Sequence, residues 1–391
     1  MSVTLHPNRQ HFTLDGQPLL VASHGNVVTA IPGHSWEEDL ALLVAQGARY
    51  GRLWHILARD TLEWPWLRLP DGRWDLSQFN ETYWSTIRSV LERAESAGVV
   101  LEPHLFDRGC GGNQADYRAY PWHPRRNVNG LRTQLPQGGT GLPQFYEARS
   151  GTPLFELQAS YIRKWVDEAR PFRNVVLEIE NEHRQHDVIR WAAQWARLIK
   201  ILDPERVVAY SSLESDLERA YRIAEIDVVN VHSGREGRDP QLLRDYLTGH
   251  FRRRQLMNVD EFGNGERSAR VLRRQCWTIV TSGGHFHIED ALPESQPEIV
   301  AANVRRFLAE SRWDFTSARP RDGAMRSETQ LVAFLSRSEV QVPWAGTARE
   351  WDPVGQGAFG PAFSVAAREI VRRRADTVLF VERAAATRQA R

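Results

Sequence analysis

Apolar residues along the chain fall into short runs, separated by longer segments in which they recur every three or four positions. That alternation predicts repeated βα units and a parallel sheet. The runs occupy residues 19–24, 48–54, 99–104, 175–180, 207–211, 226–231 and 256–260, with a weaker one at 284–288. Helical periodicity covers 36–46, 83–97, 156–169, 189–202, 268–281 and 298–311. Ser35 stands at the N-cap of the first helix, with Glu38 at the capping-box position and Gly47 beyond the end. Before the first run, Asp15-Gly16 reads as a hairpin turn. Eight strands with intervening helices over roughly 15–317 predict an α/β fold of the (β/α)8 TIM-barrel type. A doubly wound sheet alternates in the same way, but it usually has fewer strands, and no G-x-G-x-x-G follows the first run.

Two stretches break the alternation. Residues 58–76 read as a loop rich in Trp and Pro. Residues 106–153 hold Gly, Pro, Asn, Gln and Arg, with Tyr117, Tyr120, Trp122, Phe145 and Tyr146 interspersed. A loop of that length points to an ordered lid or binding loop. After about 328 the texture is that of short β-strands, at 330–335, 339–342 and 377–381. The expected organisation is a catalytic barrel with an N-terminal hairpin over 1–325, then a small β-rich, sandwich-like domain over 326–391.

Composition changes this picture in places. Lys+Arg number 50 and Asp+Glu 49, a net charge of +1, which argues against a nucleic-acid partner. Lys occurs only at Lys164 and Lys200, and Trp (14) is almost as frequent as Phe (15). Cys110 and Cys276 show no zinc or C-x-x-C spacing, and whether they are bridged stays open. No stretch approaches the ~18 apolar residues of a membrane span, and no apolar signal segment opens the chain. A cytoplasmic protein is expected, or a secreted one if a leader was removed.

In a barrel the reactive residues lie at the C-terminal ends of the strands. Those ends carry His24, Arg52, Trp54, His55, His104, Asn181, Glu182, Ser211, His232, Asp260, Glu261, His285 and His287. Unpaired buried polar groups cost free energy, so the collection points to chemistry. Glu182 closes Glu178-Ile-Glu-Asn-Glu182 on the fourth strand, and Glu261 follows Asn258-Val-Asp on the seventh. Facing carboxylates about 5–5.5 Å apart are what a retaining glycosidase needs. The plainer reading is ion pairing with arginine. Trp54, Trp64, Trp66, Trp74 and Trp122 fall in or beside the loops after strands two and three, where an indole can stack on a sugar ring. Trp165, Trp191, Trp195 and Trp277 lie on helices at core spacing and read as packing.

On these residues the chain resembles the clan A retaining glycoside hydrolases, with Asn-Glu ending strand four and a nucleophilic Glu ending strand seven. Ala48-Arg-Tyr-Gly-Arg-Leu53 is similar to the strand-two segment whose Arg, here Arg52, supports the nucleophile. His104 and His232 resemble the strand-three and strand-six histidines of the cellulase-like family 5. The opening Phe12-x-x-Asp-Gly-x-Pro18 and the C-terminal portion are similar to the apiosidase-like barrel with a β-domain. The resemblance implies cleavage of a β-glycosidic bond by double displacement without a cofactor. It makes Glu182 the acid/base, Glu261 the nucleophile and Asn181 the partner of the sugar 2-hydroxyl. The substrate it implies is an oligosaccharide or glycoside. Asp290 joins the imidazoles as a candidate for sugar hydroxyls. The chain departs from family 5 at Gly234, where a Tyr is expected, at His183 after the acid/base, and in lacking the strand-eight Trp. Two rivals remain open: a metal-dependent hydrolase barrel using the strand-end histidines, and a non-catalytic carbohydrate-binding barrel. The sugar, endo or exo action and the oligomeric state are not legible.

Overall fold

The computed structural model describes residues 1–384, apart from 26, 32–33, 57–62, 108–119, 132–143, 182–187, 213–217, 233–238, 252, 264, 290, 336–337, 356 and 374. The chain forms two compact units, one of residues 1–19 with 26–232 and one of 20–25 with 233–391.

The first unit opens on an antiparallel sheet of β1 (Val3–Leu5), β2 (Phe12–Leu14) and β3 (Gln17–Leu19). Asp15 and Gly16 turn β2 into β3 with φ of 50° and 75°, both in the left-handed region that this tight turn demands. The parallel strands follow as β5 (Val27–Thr29), β6 (Tyr50–Trp54), β9 (Val100–Asp107), β10 (Leu177–Asn181), β11 (Val208–Ser212) and β12 (Val228–His232), paired in that order. Between them run α1 (Trp36–Ala45), α2 (Glu81–Ala97), α3 (Pro153–Ala169) and α4 (Val188–Leu202). Their ends follow local chemistry. Ser35 Oγ accepts from Glu38 N, Asn80 caps α2 through Thr82 N and Tyr83 N, and Thr152 caps α3 ahead of Pro153. Each buries one apolar face, for α2 the side chains Tyr83, Trp84, Ile87, Val90 and Leu91.

Two expectations change here. Part of the expected 58–76 loop is an antiparallel ribbon, β7 (Trp66–Arg68) with β8 (Trp74–Phe79), turned at Asp71-Gly72. And β9 runs three residues past His104, with all its positions buried. Glu102, Pro103 and His104 interrupt the apolar run in the sequence, yet Leu105, Phe106 and Asp107 continue the strand.

The second unit pairs β4 (Ala22–His24), β14 (His285–Ile288) and β13 (Leu256–Phe262) in parallel, in that order. Its helices are α5 (Pro240–His250), α6 (Ala269–Val280) and α7 (Pro297–Ser311). With β4 and β5 as two pieces of one strand position, the parallel strands supply the eight positions of a (β/α)8 barrel. Antiparallel sheets follow it. One holds β15 (Arg319–Arg321), β16 (Ala324–Arg326), β17 (Gln330–Leu335), β19 (Gly346–Trp351), β20 (Phe363–Val365) and β22 (Thr377–Arg383). The other pairs β18 (Ser338–Gln341) with β21 (Ile370–Arg373). Leu331, Ala333, Leu335, Val340, Leu379 and Val381 are part of their shared core. The antiparallel sheet thus begins at Arg319. On α7, Phe307 contacts Trp277, Trp313, Trp351 and Phe380, and Trp351 Nε1 donates to Asn303 Oδ1 at 2.8 Å. No helix among the described residues is long and apolar enough to cross a membrane.

Candidate active site

In the first unit, polar residues of four parallel strands meet in a buried hydrogen-bonded set. Arg52 of β6 donates from Nη2 to Asn181 Oδ1 at 2.6 Å and to Glu178 Oε2 at 3.5 Å, both on β10. Asn181 Nδ2 donates to Asp107 Oδ2 of β9 at 3.1 Å, and Tyr120 OH donates to Asp107 Oδ1 at 3.2 Å. Deeper in the set, Asn230 Nδ2 of β12 bridges Glu102 Oε1 at 2.8 Å and Glu178 Oε1 at 3.0 Å, while Tyr50 OH donates to Glu102 Oε2 at 2.5 Å. Burying an Arg–carboxylate pair is costly unless further hydrogen bonds satisfy both ions. Here Asn230 and Asn181 share that task, and Arg52, Glu102 and Glu178 are fully buried.

Two imidazoles of this unit, His55 and His104, are buried in a setting that disfavours their charged form. His55 Nε2 meets His104 O at 2.7 Å and Nδ1 meets Tyr83 OH at 2.5 Å. A carbonyl only accepts, so Nε2 carries the proton and Nδ1 takes the phenol's. Burial pushes His55 well below the usual imidazole range, helped by His104. His104 lies 5.3 Å from His55, ring to ring, and burial with the Arg52 charge brings it down to about 3. Trp54 closes β6 half-buried, its ring 5.8 Å from His104 and 6.0 Å from the Arg52 guanidinium. Glu180 accepts from Tyr146 OH at 2.8 Å, and its burial holds the carboxyl well above the usual carboxylate range, with Asp107 and Glu178 adding to the rise.

In the second unit, β13 carries Asn258, Asp260 and Glu261, and its register against β14 shifts between Val259 and Phe262. Such a bulge re-aims side chains. Asp260 is buried and Glu261 half-buried. Gly263 then turns the chain at φ 93°, and a Cβ there would meet Ile288 Cγ2 and Leu272 Cδ1 at 3.3 Å, so the exit from Glu261 requires glycine. His287 is paired opposite Ser23 on β4. His24 ends β4 half-buried, and burial lowers its pKa against the pull of Glu298.

Several expected site residues are relocated. Trp64, Trp66 and Trp122 do not offer a face to a sugar. Their relative exposures are 2%, 1% and 1%, and Trp66 packs against Trp122 and Tyr161 at 4.9 Å while Trp64 packs on Tyr120 at 4.8 Å. Trp74 is buried with them, 6.5 Å from Trp64. The reason is the β7–β8 ribbon, which folds these indoles inward. His285 opens β14 instead of closing it, and its Nδ1 accepts the Val21 backbone N–H at 3.0 Å. His232 does close β12 and is buried. Glu182, His183, Gly234, Asp290, Cys110 and Tyr117 lie outside the described residues, and Cys276 is a buried thiol. Asp107 and Glu178 went unmarked in the sequence. Asp107 had a legible signal, an acid ending the apolar pair Leu105-Phe106.

No family profile matches the sequence, and no curated protein matches it. Solved structures do match. One is a glycoside hydrolase family 5 protein from Bacteroides vulgatus, with 12% identity over 99% of this chain and 94% of that one and a TM-score of 0.67. A second is the endo-1,4-beta-mannanase of Rhizomucor miehei, at 14% identity, 74% and 90% coverage and a TM-score of 0.55. A third is the endo-beta-1,4-mannanase of Thermotoga petrophila, at 13% identity, 89% and 91% coverage and a TM-score of 0.53. At these identities the likeness is one of fold: the chain has the (β/α)8 barrel of glycoside hydrolase family 5 structures.

Proposed function

We propose that the protein is a retaining glycoside hydrolase acting on a β-glycosidic bond, with Glu261 as nucleophile and Glu182 as acid/base. The observation that carries this reading is Asn181. The residue beside Glu182 is gripped on both sides of its amide by Arg52 and Asp107, in a barrel whose fold is shared with glycoside hydrolases. A neutral hydroxylated ligand suits such a donor and acceptor set.

In the first step the Glu261 carboxylate attacks the anomeric carbon, the bond to the leaving oxygen breaks, and the Glu182 carboxyl protonates that oxygen. In the second, the Glu182 carboxylate takes a proton from water, the water oxygen bonds to the anomeric carbon, and Glu261 departs with its electron pair. Two inversions leave the β configuration. The neutral imidazole of His104 gives the −1 sugar a hydrogen-bonding group without adding charge, His55 stacks behind it, and Trp54 offers the indole face. No cofactor enters. Because two of the fold neighbours are named as mannanases, β-1,4-linked mannan heads the panel of polymers to assay.

The test uses 2,4-dinitrophenyl β-glycosides, with activity unaffected by EDTA. Glu261→Gln should lose turnover. Glu182→Ala should slow hydrolysis by roughly 10²–10⁴-fold, the range for a lost general acid/base, and azide should restore turnover by forming the β-glycosyl azide. Wild-type rates in either variant would exclude the assignment. Inhibition by EDTA would favour the metal-dependent hydrolase instead.

A further inference from the structure

We infer that Asp107 is a positioning residue that locks the Asn181 amide, and so makes the enzyme selective for sugars carrying a 2-hydroxyl. The inference rests on the glycosidase reading above and adds a specificity device to it.

An amide group is nearly symmetric in shape, and its oxygen and nitrogen exchange places by a half-turn about χ2. The surroundings must decide which way it points. At Asn181 two opposite partners do so. The Arg52 guanidinium is donor-only and meets Oδ1 at 2.6 Å. The Asp107 carboxylate oxygen meets Nδ2 at 3.1 Å. Turned over, the amide would set N–H against N–H on one side and oxygen against oxygen on the other. Arg52 alone anchors one atom and leaves rotation about that contact. Asp107 supplies the second point and fixes the amide plane.

The lock uses one of the two amide hydrogens. Asn181 Nδ2 carries two, Asp107 takes one, and no other acceptor among the described residues takes the second. Asn181 is 2% exposed, so that N–H is a buried donor at the end of β10, one residue before Glu182 in the chain. A hydroxyl on the carbon next to the anomeric centre is the acceptor a glycoside would bring there. Bonds to that hydroxyl strengthen as the oxocarbenium-like transition state forms, so a fixed donor acts on rate more than on ground-state binding.

Asp107 is itself held. Its Oδ1 accepts from Tyr120 OH at 3.2 Å, and Tyr120 is buried against Trp64 at 4.8 Å. The carboxylate therefore cannot swing away from Asn181 without breaking the contact to Tyr120.

The experiment measures kcat/KM on the 2,4-dinitrophenyl β-glycoside that the full chain turns over fastest and on its 2-deoxy analogue. The ratio of the two is internal to one preparation and does not depend on the folded fraction. Asp107→Ala should lower that ratio roughly tenfold or more, the scale of one lost charge-assisted hydrogen bond, with the change mostly in kcat. Asp107→Asn keeps an acceptor oxygen toward Asn181 and should recover most of the ratio. Tyr120→Phe should lower it a few-fold, and it serves with Asp107→Asn if the alanine variant does not fold. Equal losses on both substrates, with the ratio unchanged, would overturn the inference and leave the glycosidase reading standing. A wild-type ratio near one would do the same. Folded wild-type protein with no turnover of any aryl glycoside would overturn the glycosidase reading itself.

Discussion

His55 and His104 stack inside the first unit as neutral rings, and that neutrality has an energetic sign. A free histidine titrates near 6.5, whereas burial and the Arg52 charge bring His104 down to about 3 and hold His55 well below its usual range. Below pH 6.5 the unfolded chain binds protons that the folded one refuses. Their contribution to stability is full above that pH and is lost as pH falls toward 3, by about 1 kcal/mol per pH unit for each ring. Glu180 works with the opposite sign. Its raised pKa means the folded state holds a proton that the unfolded chain releases above about 4.5, so it erodes stability as pH rises past that value. Urea unfolding from pH 4 to 8 should show stability rising with pH up to about 6.5, and Glu180→Gln should raise it selectively on the alkaline side. A flat profile would exclude both assignments. At this scale the sequence was a partial guide. Arg52, His104 and Asn181 stand out as charged or polar residues at strand ends. Asp107 carried a fainter mark, an acid after Leu105-Phe106, which is easily passed over because Glu102-Pro-His104 interrupts the apolar run before it.

At the scale of elements, the same residue type divides by where its strand puts it. Trp66 is enclosed by the ribbon and by α3 through Tyr161, while Trp54 sits half-buried at the end of β6. Trp66→Ala should therefore cost about 3–5 kcal/mol of unfolding free energy, the range for an emptied aromatic site. Trp54→Ala should leave the melting temperature within a few degrees and raise KM for the glycoside. The reverse pattern would return Trp66 to the substrate. Composition alone could not separate the two, since indoles beside a cleft and indoles beneath it share one local signature. The strands and helices were more legible because they rest on periodicity. The β7–β8 ribbon was hidden, as its few residues are too short to show a period among Trp, Pro and Arg. The shift of register at Asp260–Glu261 was hidden too, being a property of pairing.

At the scale of the molecule, the order of runs and helices was enough to indicate a barrel, since each βα unit repeats the same burial pattern. The start of the antiparallel sheet at Arg319, just before the expected boundary at 325, was not legible, because the first of its strands are only three residues long. Phe307 binds that sheet to the last helix through Trp351 and Phe380. Phe307→Ala should lower stability by about 3–5 kcal/mol while preserving a single unfolding transition by calorimetry. Two separate transitions would mean that the C-terminal sheet is an independent domain.

Residues 20–25 belong with the second unit although the chain on both sides of them belongs with the first. Val21 N reaches His285 across 264 residues, Gly25 N bonds Ile288 O, and Arg305 donates to Ala22 O. During synthesis at about 5–20 residues per second, this short segment must wait roughly ten seconds to a minute before its partners leave the ribosome. Whatever the first unit gains early, this segment stays unpaired until the strand and helix that hold it have been made. Those six residues, with Leu20, Val21 and Ala22 unsheltered, are where a chaperone would have most to protect.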